Sequence, residues 1–140
     1  MRIQLVRFIV LAVAVLVFTG ASRAGEKKLM HCFAFSTIKD ASDDDWKEFV
    51  KVSSDLPEKI DGLNTVWVGK LRRPLRTYSK GGSDEKPEYT ANLREWGVCM
   101  EMDDATILGK YTDHEAHRDW EEAYFKVRVR GTTTYDILGQ

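Results

Sequence analysis

Residues 29–38 read LMHCFAFSTI, and the size of the side chain alternates along this run. The alternation separates three ring-bearing side chains from three small ones, namely His31, Phe33 and Phe35 from Cys32, Ala34 and Ser36. A period of two places successive side chains on opposite faces of a sheet. The run therefore predicts a β-strand with one bulky face and one face of small side chains.

The residues after this strand predict an amphipathic helix. Ser42 precedes three aspartates at 43–45, which is typical of an N-cap followed by acids at the positive end of a helix. The helical stripe recurs at steps of three and four: Trp46, Phe49, Val50, Ser53, Leu56 and Ile60. Pro57 predicts a kink or a restart, and Asp61-Gly62 predicts the end of the helix.

The remaining elements alternate in the same way. Residues 63–70, 94–102 and 132–138 are predicted strands, and one face of the second of these carries Trp96, Val98, Met100 and Met102. A short helix through Tyr111, capped by Asp103 or Asp104, precedes a helix over about 115–129 that Gly131 ends. The buried stripe of this last helix is Trp120, Ala123, Tyr124 and Val127.

The order β-α-β-β-α-β predicts an α+β fold, the ferredoxin-like split βαβ arrangement with an antiparallel sheet. Right-handed crossovers place the first and third strands side by side at the centre. The helices then cover one face of the sheet, and the other face is open, which favours a partner. Residues 71–93 are predicted to form a long irregular loop: a solvated mobile segment, or alternatively a lid or an arm that reaches a partner subunit.

The first 24 residues predict a signal peptide. Arg2 and Arg7 precede an unbroken apolar run of 11 residues from Phe8 to Phe18, too short to span a bilayer. Ser22 and Ala24 form a small-x-small pattern that predicts cleavage after Ala24, and the alternative is an uncleaved anchor. We therefore expect residues 25–140 to form one secreted or periplasmic domain, with no membrane contact after cleavage.

Composition excludes several classes of protein. Of the 21 basic and 22 acidic residues, three basic ones fall in residues 1–24, so the remainder has a formal charge of −4. This acidic balance disfavours nucleic-acid binding by bulk charge, and the length excludes a multidomain nucleotide-binding enzyme. Cys32 and Cys99 are expected to be two small buried thiols, because a bridge directly between neighbouring strands is geometrically awkward; export keeps a disulfide possible.

The three histidines are the candidates for chemistry. His114 and His117 lie in the segment YTDHEAH at 111–117, and His31 lies in the first strand. No third ligand accompanies them nearby, so no metal site and no cofactor is predicted. An imidazole beside a phenol can transfer a proton at neutral pH, provided that a bent junction brings Tyr111 and His117 together. The alternative is that these side chains cap helix ends and hold the junction together.

Four stretches together resemble the stress-responsive A/B barrel (Dabb) family. They are MHCFAF at 30–35, LPEKIDGL at 56–63, MEMDD at 100–104 and YTDHEAH at 111–117. The resemblance implies a homodimer in which two sheets form a dimeric α/β barrel, with an apolar pocket between sheet and helices. Departures from the family pattern are Glu115 in place of a usual proline, the long 71–93 segment and the signal peptide.

The resemblance also implies site residues. A plant polyketide cyclase of this family closes an aromatic ring by an aldol condensation with a tyrosine and a histidine, and Tyr111 and His117 match that pair. The implied pocket residues are His31, Phe33, Phe35, Val98, Met100 and Trp120. The first hypothesis is an exported dimer that binds a small apolar or aromatic ligand, and the second is an enzyme with His117 as general base. A remote third is haem binding, because some barrel relatives bind haem, through His31 or His117.

Overall fold

The computed structural model describes residues 27–139, so the predicted signal peptide lies outside the described residues. Within these residues, four strands and three helices follow one another in the predicted order. They are β1 (Leu29–Phe35), α1 (Asp43–Lys59), β2 (Leu63–Gly82), β3 (Pro87–Met102), α2 (Ile107–Asp113), α3 (Glu115–Val127) and β4 (Thr133–Leu138). This is the ferredoxin-like α+β fold, with the second helical crossover divided into α2 and α3. In the described part of the chain, no helix is long and apolar enough to cross a bilayer.

The strands form one antiparallel sheet in the order β2-β3-β1-β4. The prediction that the first and third strands are central neighbours is confirmed. Phe33 of β1 pairs with Val98 of β3 and Thr134 of β4, and directly opposed residues share a face. The register therefore decides which side chains reach the helices.

Helix α1 begins with the predicted cap. The Ser42 side chain accepts from the Asp45 backbone N–H at 3.1 Å, and the Asp45 carboxylate accepts from the Ser42 N–H, which completes a capping box. The helix does not restart at Pro57, because α1 runs through it to Lys59. Pro57 lies in the last turn, where its missing N–H removes one bond from a helix that ends two residues later. Gly62, with φ of +88°, then turns the chain into β2.

The core lies between the helices and one face of the sheet, called here the helix face. Aromatic rings dominate it: Phe35 and Phe49 are 0% exposed and their rings meet edge to face at 6.2 Å. The predicted stripe of α3 is buried in full, whereas Val50 of the predicted α1 stripe is 45% exposed. Close aromatic packing therefore fixes α1 and α3 on the sheet.

The opposite surface, called here the open face, is covered by none of the helices of residues 27–139. It carries alternate residues of all four strands, including Trp67 of β2 and Tyr135 of β4. Trp67 is 70% exposed, Ile137 55% and Tyr135 43%. Within one chain, large apolar side chains on this face thus remain in water.

Residues 71–93, predicted to be a loop, instead form an extended two-stranded hairpin, called here the arm. It comprises the outer parts of β2 and β3, which pair from Leu75 with Arg94 out to Gly82 with Pro87. A register shift between Lys70 and Leu75 accommodates Pro74, and Pro87 is the first residue of its strand. The two strands of the arm hydrogen-bond to each other, and both faces of the arm are largely exposed.

The prediction of two free thiols is also wrong, since Cys32 and Cys99 form a disulfide. The two residues are directly opposed in β1 and β3, with Cα atoms 4.2 Å apart. A separation this short is that of a non-hydrogen-bonded pair, which points two side chains of one face at each other. The bridge therefore lies on the open face, between the two central strands.

Candidate functional site

The candidate site is a cleft of about 300 Å³ between β1 and β4 on one side and α2 and α3 on the other. Rings and hydroxyl groups make up most of its wall. The lining residues, which define the cleft, are His31, Phe33, Leu108, Tyr111, Thr112, His117, Trp120, Glu121, Tyr124, Phe125, Arg128, Thr132 and Thr134. Its size and mixed lining suit a small, mainly apolar molecule with a few polar groups.

The cleft brings together five of the eight residues singled out in the sequence. These are His31, Phe33, Tyr111, His117 and Trp120. The other three, Phe35, Val98 and Met100, are at most 1% exposed and belong to the core beneath the cleft. They are absent from the lining of the cleft.

Tyr111 and His117 meet because the chain breaks between α2 and α3. His114 ends α2, and its Nδ1 also accepts from the Ala116 backbone N–H at 3.1 Å, which caps α3. The junction brings the rings of Tyr111 and His117 to 4.3 Å between centroids. His114 therefore has a structural capping role. The break at His114 lets Tyr111 and His117 face each other although they are six positions apart.

The environment of His117 selects one tautomer. Its Nδ1 lies 3.2 Å from the Thr112 carbonyl oxygen, which can only accept, so Nδ1 carries the proton. In the neutral ring Nε2 is then the unprotonated nitrogen, the form required of a general base. The ring also stacks on Trp120, with centroids 6.0 Å apart and planes 13° apart. The Thr112 carbonyl and the Trp120 ring thus determine the orientation of this imidazole and which ring nitrogen carries the proton.

Trp120 is itself held by α1. Its Nε1–H donates to Ser53 Oγ at 2.8 Å, and Ser53 donates onward to the Phe49 carbonyl at 2.7 Å. Ser53 is 1% exposed, so both bonds lie inside the core. A serine within an apolar stripe of α1 therefore positions the tryptophan against which His117 stacks.

The Tyr111 hydroxyl is kept as a neutral phenol. Burial raises the pKa of Tyr111 far above its usual range, and the neighbouring Glu121 carboxylate raises it further. A neutral phenol donates a hydrogen bond rather than abstracting a proton. Tyr111 can therefore stabilise negative charge that develops on an oxygen atom, but it is not a base near neutral pH.

His31 is paired with a carboxylate that sequence reasoning missed. Its Nδ1 lies 2.6 Å from Asp136 Oδ1, directly across the β1–β4 pair. The His31 ring lies 6.2 Å from that of Tyr111 and 5.5 Å from that of Phe33. The carboxylate accepts a hydrogen bond from Nδ1–H and thereby orients the ring, as in imidazole–carboxylate pairs of acid–base sites.

Arg128, Tyr124 and Thr132 complete the other end of the cleft and were also missed. The Tyr124 hydroxyl and Thr132 Oγ1 are 2.9 Å apart, and the Arg128 guanidinium lies 4.9 Å from the centre of the Tyr124 ring. An acid inside the β-rich run at 132–138 was a usable signal for Asp136, because aspartate is depleted in strands. Arg128 gave no comparable signal, since arginine is ordinary at a helix end.

Among residues 27–139, no cluster of three or more His, Cys, Asp or Glu side chains could hold a metal ion. The groups that converge in the cleft include two oriented imidazoles, the neutral phenols of Tyr111 and Tyr124, and a wall of aromatic rings. Together they can bind an aromatic molecule and exchange a proton with it.

No family model matches the chain, and no curated protein matches it. Solved structures share its fold. A dabb family protein with a ferredoxin-like fold from Mesorhizobium loti is 15% identical, with a TM-score of 0.55 over 82% of this chain and 99% of that one. A dimeric ferredoxin-like protein of unknown function from Thermobifida fusca is 15% identical, with a TM-score of 0.56 over 81% of this chain and 92% of that one.

The hydroxynitrile lyase from Passiflora edulis is also similar in fold. It is 7% identical, with a TM-score of 0.60 over 83% of this chain and 96% of that one. At these identities the likeness extends to the fold alone. The ferredoxin-like fold predicted from the sequence is thus confirmed, and a dabb family protein has the same fold.

Proposed function

We propose that this chain is an exported, homodimeric protein of the stress-responsive A/B barrel type that binds a small apolar or aromatic ligand. The cleft is the observation that carries the proposal, because it presents the rings of Phe33, Trp120 and Tyr124 beside a few hydrogen-bonding groups. Rings of this kind bind a flat apolar molecule, and the hydroxyl and imidazole groups orient it.

The homodimer part of the proposal rests on the open face. Trp67, Tyr135 and Ile137 expose apolar surface that a second copy of the same face would cover. Several solved structures with this fold are described as dimeric. The export part rests on the basic and apolar pattern of residues 1–24, and the Cys32–Cys99 disulfide is in keeping with an oxidising compartment.

Native mass spectrometry of protein purified from its own source tests ligand binding directly. We expect a dimer that carries one small molecule per subunit and loses it on mild collisional activation. A matched sample of the Trp120→Ala variant serves as the control and should carry less ligand. A wild-type protein that is monomeric and ligand-free, and that binds none of a panel of aromatic compounds, would overturn the proposal.

A second candidate function is proton-transfer catalysis on the same ligand. A specific observation favours it, namely that the Thr112 carbonyl leaves Nε2 of His117 as the basic nitrogen beside the neutral Tyr111 phenol. In this candidate His117 takes a proton from a carbon next to a carbonyl group, and Tyr111 donates a hydrogen bond to the resulting enolate oxygen. The aldol-type ring closure implied by the family resemblance requires these two steps.

Hydrogen–deuterium exchange separates binding from catalysis. With phenylacetone as a probe in D₂O, a catalytic cleft should speed deuterium uptake at the carbon between ring and carbonyl, measured by proton NMR. His117→Ala should lower the protein-dependent rate by about a hundredfold or more, as expected for loss of a general base. His114→Asn is the matched control, because it removes an imidazole outside the cleft lining and retains a capping side chain. Equal rates in wild type and His117→Ala would exclude this role.

A further inference from the structure

Arg128 is a charged side chain whose hydrogen-bonding capacity is not used within the described part of the chain. It follows the end of α3 directly, and its guanidinium lies over the rings of Tyr124 and Phe125, 4.9 and 4.6 Å from their centres. Its Nε is buried and has no hydrogen-bond partner, and the ion pairs among residues 27–139 do not include it.

Stacking on the two rings does not account for this arrangement. A cation–π contact engages the face of the guanidinium, whereas its five N–H groups point outward in the plane. Buried donors of a charged group that lack an acceptor are costly, and native proteins rarely keep them without a reason. The edge of Arg128 is therefore suited to an acceptor that residues 27–139 do not supply.

A second arginine strengthens the positive charge at this end of the cleft. Arg94 of β3 donates from Nη1 to Ser36 Oγ at 3.2 Å, and its Nε is also buried without a partner in the described chain. Burial raises the pKa of the Tyr124 phenol, and the Thr132 hydroxyl and the charges of Arg128 and Arg94 oppose that rise. Both cations therefore lie close to the Tyr124–Thr132 hydroxyl pair.

The cleft is thus polarised along its length. The end at His31 carries the Asp136 carboxylate, and Glu121 lies near Tyr111. The end at Arg128 carries that guanidinium and the hydroxyl groups of Thr132 and Tyr124, and the charge of Arg94 acts on Tyr124 from outside the lining. Aromatic rings line the wall between these ends. A molecule with an apolar body and a negative group at one end matches this distribution.

We propose that the ligand of the cleft is an aromatic or apolar carboxylic acid, and that Arg128 binds its carboxylate with two N–H groups. The inference rests on the proposed function, since it names the chemical class of the ligand for the same cleft. A carboxylate matches the planar edge of one guanidinium in geometry and charge. The body of the ligand then lies against Phe33 and Trp120, with its other end at the two histidines.

Binding of two matched probes, measured by isothermal titration calorimetry at pH 7, tests the inference. The probes are 2-naphthoate and 2-naphthamide, which share the ring system and differ in the charge of the end group. Wild type should bind the carboxylate about tenfold more tightly than the amide, the gain expected of a charge-assisted bidentate contact. Arg128→Gln should abolish this preference, because it should weaken binding of the carboxylate far more than binding of the amide.

Two further variants make the result specific. Arg118→Gln removes the same charge from an exposed position of α3 outside the cleft and should keep the preference. Arg128→Lys keeps the charge but loses the planar pair of N–H groups. This variant should retain a small part of the preference for the carboxylate. Thermal unfolding of each variant verifies that it is folded.

The outcomes separate this inference from the proposed function. If both probes bind wild type equally, or if Arg128→Gln weakens both to the same extent, the carboxylate assignment is wrong while ligand binding stands. If neither probe binds wild type, the ligand-binding function fails and the carboxylate assignment fails with it. If Arg118→Gln also abolishes the preference, general charge attraction explains the result and Arg128 has no specific role.

Discussion

The two faces of the sheet are formed by alternate residues of the same four strands, yet their large side chains differ in solvent exposure. On the helix face, Phe35 and Met100 are 0% exposed, and the cleft opens at its edge. On the open face, Trp67 and Tyr135 are 70% and 43% exposed, although both are large aromatic side chains. The helix face is thus completed by α1, α2 and α3 of the same chain, whereas no described element covers the aromatic residues of the open face.

The two faces therefore contribute to different properties, the helix face to the stability of the subunit and the open face to assembly. Burial of the helix face stabilises the monomer, since aromatic side chains are removed from water within one chain. The open face can contribute its apolar area only when another surface covers it. Three substitutions test this division, from the largest expected effect to the smallest.

Phe35→Ala should produce the largest loss of stability. Phe35 packs edge to face against Phe49 and Tyr124, and its removal leaves a cavity in the centre of the core. The free energy of unfolding should fall by about 3–5 kcal/mol, measured by urea denaturation followed by circular dichroism. Tyr78→Ala on the arm is the control: Tyr78 is 61% exposed, and the change should cost about 0.5 kcal/mol or less. Equal losses would contradict the division between the faces.

Trp67→Lys should act on assembly instead. A charged side chain in the middle of a proposed apolar interface should raise the dimer dissociation constant by about thirtyfold or more, the effect of losing an interface hot spot. Sedimentation velocity over a range of protein concentrations measures this constant. Val50→Lys, a similar change at an exposed position of α1, is the control and should leave the dimer intact. An unchanged dimer in Trp67→Lys would place the interface elsewhere.

Ser53→Ala should have the smallest free-energy effect of the three, and it should also change ligand binding in the cleft. It leaves the buried Trp120 Nε1–H without its acceptor, which costs about 1–2 kcal/mol. Ser54→Ala is a closely matched control, because Ser54 makes the same kind of bond to the carbonyl four residues earlier but is exposed and touches no site residue. Ser53→Ala should also weaken 2-naphthamide binding, while Ser54→Ala should not. Identical behaviour of the two variants would remove Ser53 as a positioning residue.

Much of the helix face could be predicted from the sequence, because its periodicity is strong. Trp120 and Tyr124 recur at the helical spacing, and His31, Phe33 and Phe35 alternate at the spacing of a strand. The arm gave no such signal, since both of its faces are largely exposed and its strands need no apolar alternation. Glycines, prolines and charges in residues 71–93 are therefore compatible with a loop or with a hairpin until the pairing of β2 and β3 is known.

The sequence by itself determined the order of the elements and which side chains share a face, because both follow from local periods of two and 3.6 residues. Only the tertiary structure decided which residues from distant parts of the chain meet. Cys32 lies opposite Cys99, and Asp136 lies opposite His31, because of the register of three strands that are far apart in sequence. Likewise the α2–α3 junction brings Tyr111 to His117. Register and junction geometry depend on packing between elements, and no local pattern contains that information.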